Sequence, residues 1–301
     1  MGVPADSKFA ADEGMIDSED AQTDDAHPIE TSEPSALALA PIGVFDSGLG
    51  GLSVLHAIHC DLPYEDLIYF ADSGHAPYGE KTDEFILERC LRIGGWMIDQ
   101  GVKAIVVACN TATAAAVQAL RAKYCIPIVG IEPGLKPATM ETVTRKVGVL
   151  ATASTLASER YAKLLGRIQA FAPNVEFISA QGVGWADQVE KGDIDSADTR
   201  ALVRAVVEPL IAQGVDTLVL GCTHYPFLRH AIALAAPDAE IVDTAPAIAR
   251  EIARRVRGES DPNPGPALGN MRIVTTGDIG RAQALAERML ALHCKVERST
   301  I

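Results

Sequence analysis

From residue 41 onward the chain alternates short apolar runs with longer stretches of helical periodicity, and that alternation leaves few folds open. The runs in "PIGVFDSG" (41–48), "DLIYFADSG" (66–74), "AIVVACN" (104–110) and "IPIVGIEPG" (126–134) lack the polar alternation of a half-wet strand. Strands of this kind are buried on both faces, as in parallel sheets covered by crossover helices. The intervening "GLSVLHAI", "KTDEFILERCLRIGGWMIDQ" and "TATAAAVQALRAKY" read as those helices. A second series follows, with strands "KVGVLAT", "VEFISAQ", "TLVLGCTH" and "EIVDT". Between them lie helices across "TLASERYAKLLGRI", "GWADQVE" and "SADTRALVRAVVEPLIAQ". Beyond the Pro/Gly-rich "GESDPNPGPALGN" (258–270), "RIVTTG" reads as a late strand and Ile279–His293 as a helix. Two series predict an α/β protein of two doubly wound parallel-sheet lobes, with "PGLKP" (133–137) as the crossing point and the active site in the cleft between lobes.

The chain also repeats itself. Residues 98–111, "IDQGVKAIVVACNT", and 211–224, "IAQGVDTLVLGCTH", share six of 14 positions and carry their cysteines in register. Helix end, glycine turn and buried strand recur in many α/β proteins, so the repeat can be architecture alone. It also places Cys109 and Cys222 at the carboxyl ends of corresponding strands, where open α/β folds bind ligands. A helix starting there would lower a thiol's pKa. Two such thiols facing one cleft could remove a proton from one side of a carbon and return one to the other.

Charge and cysteine usage exclude several alternatives. Residues 1–34 hold ten acids and one lysine, leaving 30 acids and 25 bases for the rest. The remainder is mildly acidic and has no basic stripe for a nucleic acid. Residues 1–38 are expected to be a disordered acidic extension, without the basic start and apolar core of a secretion signal. No apolar run is long enough to span a bilayer. A cytoplasmic protein with six free thiols and no membrane contact is expected. The cysteines lack metal-finger spacing, and no metal site is expected.

Five blocks together resemble the glutamate racemases, a cofactor-independent group within the aspartate/glutamate racemase superfamily. They are "FDSGLGGLSVL" (45–55), "DSGHAPYGEK" (72–81), "VVACNTATAA" (106–115), "VGVLATASTLAS" (147–158) and "LGCTHYPFLR" (220–229). The resemblance implies that one lobe is inserted into the other, with 39–133 plus 244–301 as the first and 134–243 as the second. It implies no cofactor, glutamate as substrate, a homodimer, and D-glutamate supplied to peptidoglycan synthesis. Cys109 and Cys222 match the two catalytic thiols, with Asp46 assisting Cys109 and His224 assisting Cys222. Asp46 and His224 also count among the substrate contacts. Ser47, Tyr78, Gly79, Asn110, Thr111 and Thr223 match the positions that hold the amino acid. Thr152 and Thr155 are further candidates, and each could equally cap a helix. Glu190 resembles the family's acid near the histidine, although "GVGWADQ" departs from the more usual Pro-rich surroundings. Some members carry an N-terminal extension linked to activation by a peptidoglycan precursor, UDP-N-acetylmuramoyl-L-alanine.

Three other readings compete. "DSGLGG" could be a dinucleotide loop with Asp72 as its ribose-binding acid, but Ser53 stands where the third glycine belongs. Aspartate racemases typically read GCTE and CNTAH where this chain has GCTH and CNTAT. A two-lobed amino-acid-binding protein would need no matched thiols. His56, His59, His75, Cys60, Cys90, Cys125 and Cys294 match no motif and are expected to be core or surface residues.

Overall fold

The computed structural model describes residues 39–257, 267–290 and 294–301. The acidic extension, most of the Pro/Gly-rich stretch and the last three residues of the expected helix to His293 lie outside these. The first strands and helices alternate as the apolar runs require: β1 Ile42–Asp46, α1 Leu52–Asp61, β2 Leu67–Ala71, α2 Asp83–Asp99, β3 Ala104–Val107, α3 Asn110–Lys123 and β4 Ile128–Gly130. Next come α4 Leu135–Glu141, β5 Lys146–Ala151, α5 Ala153–Ala157, α6 Glu159–Phe171, β6 Glu176–Gln181, α7 Trp185–Glu190, α8 Ala197–Ala212 and β7 Thr217–Gly221. The chain closes with α9 Arg229–Ala235, β8 Glu240–Val242, α10 Ala245–Arg257, β9 Met271–Thr275, α11 Ile279–Leu290 and β10 Val296–Arg298.

Among the described residues the strands form two all-parallel sheets. One runs β10-β9-β2-β1-β3-β4 and the other β6-β5-β7-β8. Alternate residues of the first sheet enter two different cores. Val44, Tyr69 and Val106 pack on one side, while Phe45, Phe70 and Val107 pack on the other. The second sheet does the same, with Leu150, Leu218 and Leu220 on one face and Val147, Val149 and Val219 on the other. Burial on both faces is why these strands read as unbroken apolar runs.

Several elements depart from the sequence reading. The stretch expected as one helix from Thr155 to Ile168 is two, α5 and α6, because Ser158 is extended and its side chain accepts from Tyr161 N. α4 occupies the crossing between sheets, where only a connection was expected. α10 and the short edge strand β10 were not anticipated at all. In α10, one apolar row (Ile248, Ala249, Ile252, Ala253) packs into the core with α1, while Arg250, Arg254 and Arg255 lie exposed.

The topology places the site. In the first sheet the chain steps from β1 outward to β2, then returns to lay β3 on the other side of β1. In the second it does so with β5, β6 and β7. The crevice at each reversal lies outside the carboxyl ends of β1 and β3, and of β5 and β7. Asp46 ends β1, Cys109 lies two residues past β3, Thr152 follows β5 and Cys222 follows β7.

Candidate active site

Asp46 is fully buried and its carboxylate is held from both sheets. Ser47 N donates to Oδ1 at 2.8 Å, and Gly51 N donates to Oδ2 at 2.6 Å. Thr223 Oγ1 donates to the same Oδ2 at 3.1 Å from the loop after β7. Burial pushes the Asp46 carboxyl above its usual range, against the pull of His224 and of the backbone donors.

Cys109 caps α3, with an extended backbone and a sulfur that accepts from Ala112 N at 3.4 Å. Its thiol also lies 3.6 Å from Ser47 Oγ, as donor. The expected lowering of its pKa by the helix N-terminus is overturned. Burial, then the charge of Asp46, push the Cys109 thiol well above its ordinary value, outweighing Ala112 N–H and Ser47. Desolvation of a charge costs more than one partial dipole returns. Cys222 departs from expectation in another way: no α-helix starts at it, but a 3₁₀ turn over Tyr225–Leu228 follows.

Beside Cys222 the polar groups form a relay. His224 Nδ1 lies 3.6 Å from Cys222 Sγ, and its Nε2 lies 2.7 Å from Glu190 Oε1. Burial alone would lower the His224 pKa, but hydrogen bonds to Cys222 and Glu190 carry it well above its usual value. For Glu190 burial raises the pKa, but His224, with help from Leu49 N–H and Arg281, brings the carboxyl below its ordinary value. An imidazolium clamped between a carboxylate and a sulfur can hold or move that sulfur's proton.

Glu190 also accepts from Leu49 N at 2.6 Å, across 141 residues of chain. This contact depends on glycine. A Cβ at Gly48 would collide with Glu190 Oε1, and one at Gly50 would lie 2.5 Å from His224 Nδ1. The glycine-rich loop is thus explained by close approach to the Glu190–His224 pair. Tyr69, missed by the sequence reading, supports the loop by donating to Gly48 O at 2.7 Å. Ser53, also missed as a site residue, donates to Thr223 O at 3.1 Å and ties the α1 end to the Cys222 loop. No local pattern announces either bond.

The remaining candidates fall in the same neighbourhood. Thr111 Oγ1 lies 3.3 Å from Thr152 Oγ1 and 3.4 Å from Thr155 Oγ1, so α3 meets α5 through hydroxyls. Thr152 also caps α5, so capping and proximity to the site coexist. Asn110 is 6 % exposed, and both polar atoms of its amide lack a protein partner. Gly79 faces Thr152, whose Cβ would be 3.6 Å from a Cβ built on the glycine. Tyr78 departs from a simple contact role, since its hydroxyl donates to Asp72 at 2.6 Å. A cavity of about 200 Å³ opens among Ser47, Ser73, Pro77, Glu190, His224 and Arg281.

Asp72 does not stand free for a ribose, because Arg89, Tyr78 and Thr276 all donate to it. Cys60 and Cys125 are exposed, Cys90 is buried in the core that also holds Cys109 and Tyr78, Cys294 is buried in the core on the other side of the sheet, and His75 sits against Asp72. Among the described residues, no cluster of three or more His, Cys, Asp or Glu could hold a metal. Among them, too, no helix is long and apolar enough to cross a membrane.

Comparison with known proteins bears on this arrangement. Residues 59–252 match the family model described as Asp/Glu/Hydantoin racemase. A glutamate racemase of Methylococcus capsulatus is 53% identical over 220 residues, spanning 73% of this chain and 80% of the relative. A solved glutamate racemase isoform of Bacillus anthracis superposes with a TM-score of 0.78 at 32% identity, covering 87% of this chain and 98% of that one. The Escherichia coli glutamate racemase, solved with L-glutamate and the activator UDP-MurNAc-Ala, gives 0.75 at 29% identity, covering 86% and 98%.

Proposed function

We propose, from the premise that this chain belongs to the Asp/Glu/hydantoin racemase family and stands among its glutamate racemases, that Cys222 and Cys109 invert glutamate from opposite faces of its α-carbon. The observation that carries the two-thiol reading is a hydrogen-bonded path. It runs from Cys109 Sγ to Ser47 Oγ, to the Asp46 carboxylate, to Thr223 Oγ1, one residue from Cys222. Two cysteine loops from different sheets thereby share one carboxylate.

For L-glutamate, the Cys222 thiolate takes the α-proton, and the C–H electron pair spreads into the substrate carboxylate. The Cys109 thiol then gives its proton to the opposite face, leaving Cys109 as thiolate and Cys222 as thiol. D-glutamate runs the same steps backwards. Burial that raises the Cys109 pKa suits it to the donor's part, and His224, 3.6 Å from Cys222 Sγ, can stabilise charge that develops on that sulfur in turnover. Asp46 meets the substrate ammonium. Ser47, the Asn110 amide, Thr111, Thr223 and the main chain at Tyr78 and Gly79 hold the carboxylates, with Thr152 and Thr155 flanking Thr111. Donors arranged before the reaction stabilise the enolate-like charge without reorganising. Closing 39–133 and 244–301 onto 134–243 would expel water and strengthen those contacts. The enzyme would act without a cofactor, as a cytoplasmic homodimer supplying D-glutamate for peptidoglycan.

The test is isotope exchange in D₂O. Starting from L-glutamate, early D-glutamate should carry deuterium while the remaining L-glutamate stays protiated, because each face has its own base. Deuterium appearing equally fast in both enantiomers would mean one shared base. The same assay with and without UDP-MurNAc-Ala, the activator of the E. coli structure, reads whether a peptidoglycan precursor activates this chain as well. A rate unchanged at saturating precursor rejects activation.

Substrate choice follows from His224 in the GCTH motif. Glutamate should exceed aspartate in kcat/KM by at least about tenfold, as one methylene in a shaped pocket supports. A higher kcat/KM for aspartate overturns the assignment.

A further inference from the structure

We infer that Arg89 is a positioning residue: through the buried carboxylate of Asp72 it sets the place of Tyr78 and Gly79, and with it the affinity for the substrate's carboxylate. The inference rests on the reading above in one respect, that the main chain at 78–79 meets the substrate.

Arg89 lies mid-way along α2 and is only 4 % exposed. An arginine is seldom so buried unless paired. Its Nε donates to Asp72 Oδ2 at 2.9 Å and its Nη2 to Asp72 Oδ1 at 2.7 Å, a two-pronged grip on both carboxylate oxygens. The same Nη2 donates to Ile301 O at 3.0 Å. Asp72 follows β2, and its N–H donates to Asp46 O at 3.0 Å, so the hub sits beside the carboxylate that joins the cysteine loops.

Asp72 has no capacity left for chemistry. Oδ1 also accepts from Thr276 Oγ1 at 2.8 Å and lies 2.9 Å from His75 Nδ1, while Oδ2 takes the Tyr78 hydroxyl. An ionised carboxylate offers about four lone-pair positions. Burial raises its pKa, but Arg89, Tyr78 and His75 together bring it below the usual carboxylate range, which makes it a poor base. Its work is mechanical. The Tyr78 ring is buried and its hydroxyl is tied to a carboxylate that Arg89 grips by both oxygens, which keeps the next residue, Gly79, against Thr152. Arg89 thus orients Asp72, Asp72 orients Tyr78, and Tyr78 orients the main chain that receives the ligand. Lysine at 89 would keep the charge but lose the fork, leaving Asp72 free to pivot.

Steady-state kinetics of Arg89→Lys, Tyr78→Phe, Thr276→Val and the Arg89→Lys/Tyr78→Phe pair test this. Arg89→Lys should raise KM for both enantiomers about tenfold with kcat within about threefold of the parent, the signature of lost binding rather than lost chemistry. The pH profile of kcat should not move, since Asp72 carries no proton in turnover. The double variant should be no worse than the worse single one, because both changes act through one carboxylate. Should Arg89→Lys fail to fold, Tyr78→Phe and Thr276→Val decide, each raising KM at preserved kcat. An unchanged KM in a folded variant, a fall in kcat alone, or additive effects in the pair would overturn the inference. Absence of α-proton exchange in the parent protein would instead overturn the racemase mechanism on which it rests.

Discussion

Replacing either Cys109 or Cys222 by serine is expected to lower racemisation of glutamate by roughly 10³-fold or more, within the range that a positioned acid or base supplies. Serine occupies nearly the same volume, and both sites are almost wholly buried, so the fold should survive the exchange. A hydroxyl in place of a thiol is far too weak an acid to form the anion that takes the α-proton. L- and D-glutamate have equal free energies in water, so kcat/KM must fall equally in both directions. The difference between the two variants lies in isotope exchange. Cys109→Ser retains the base for L-glutamate and should still wash out its α-proton slowly into D₂O. Cys222→Ser should do so for D-glutamate. Turnover close to the parent in either variant defeats the two-thiol mechanism, and exchange of the wrong enantiomer reverses the assignment of faces.

The second large effect concerns the relay behind Cys222. His224→Gln is expected to cost about 10²-fold in kcat/KM, and Glu190→Gln less, by removing the charge that keeps the imidazole protonated. Glutamine can still meet His224 and Leu49 N, so the loss isolates charge from shape. In the parent, His224 titrates above its ordinary value of 6.5, and Glu190 below its ordinary value of 4.5. A raised histidine pKa stabilises the fold fully below 6.5 and loses that contribution as pH rises through the folded value. A lowered glutamate pKa stabilises the fold above 4.5 and loses that as pH falls through the folded value. The stability gap between parent and Glu190→Gln should therefore be widest between those two ordinary values, at roughly 1.5–3 kcal/mol for a hydrogen bond to a charged group. It should narrow toward alkaline pH. The alkaline limb of kcat should move to lower pH in the variant. Chemical denaturation across pH and a pH–rate profile read both, and a gap that widens with rising pH would reject the ion pair.

The class of fold was legible in the chain alone, as was the placing of two cysteines at strand ends. Apolar runs such as "AIVVACN" and "TLVLGCTH" have their character because both faces of each strand are buried, so two parallel sheets were legible before any coordinates. The register of the 98–111 and 211–224 repeat put Cys109 and Cys222 at equivalent strand ends, which is a local property. Tertiary structure alone decided what surrounds them. Asp46 meets Thr223 across 177 residues, Leu49 meets Glu190 across 141 and Thr276 meets Asp72 across 204, and no window of sequence contains both partners. The sign of the Cys109 shift belongs here too. A helix N-terminus can be foreseen from "CNTATAAA", but the burial that overrides it depends on residues packed from both sheets. The edge strand β10 escaped for the opposite reason: three residues, only one of them buried, carry too little pattern to separate from a loop. The glycines of "DSGLGG" could, from the sequence, be taken for a dinucleotide loop. Their purpose, admitting Glu190 and His224 against the backbone, exists only once the second sheet is folded against the first.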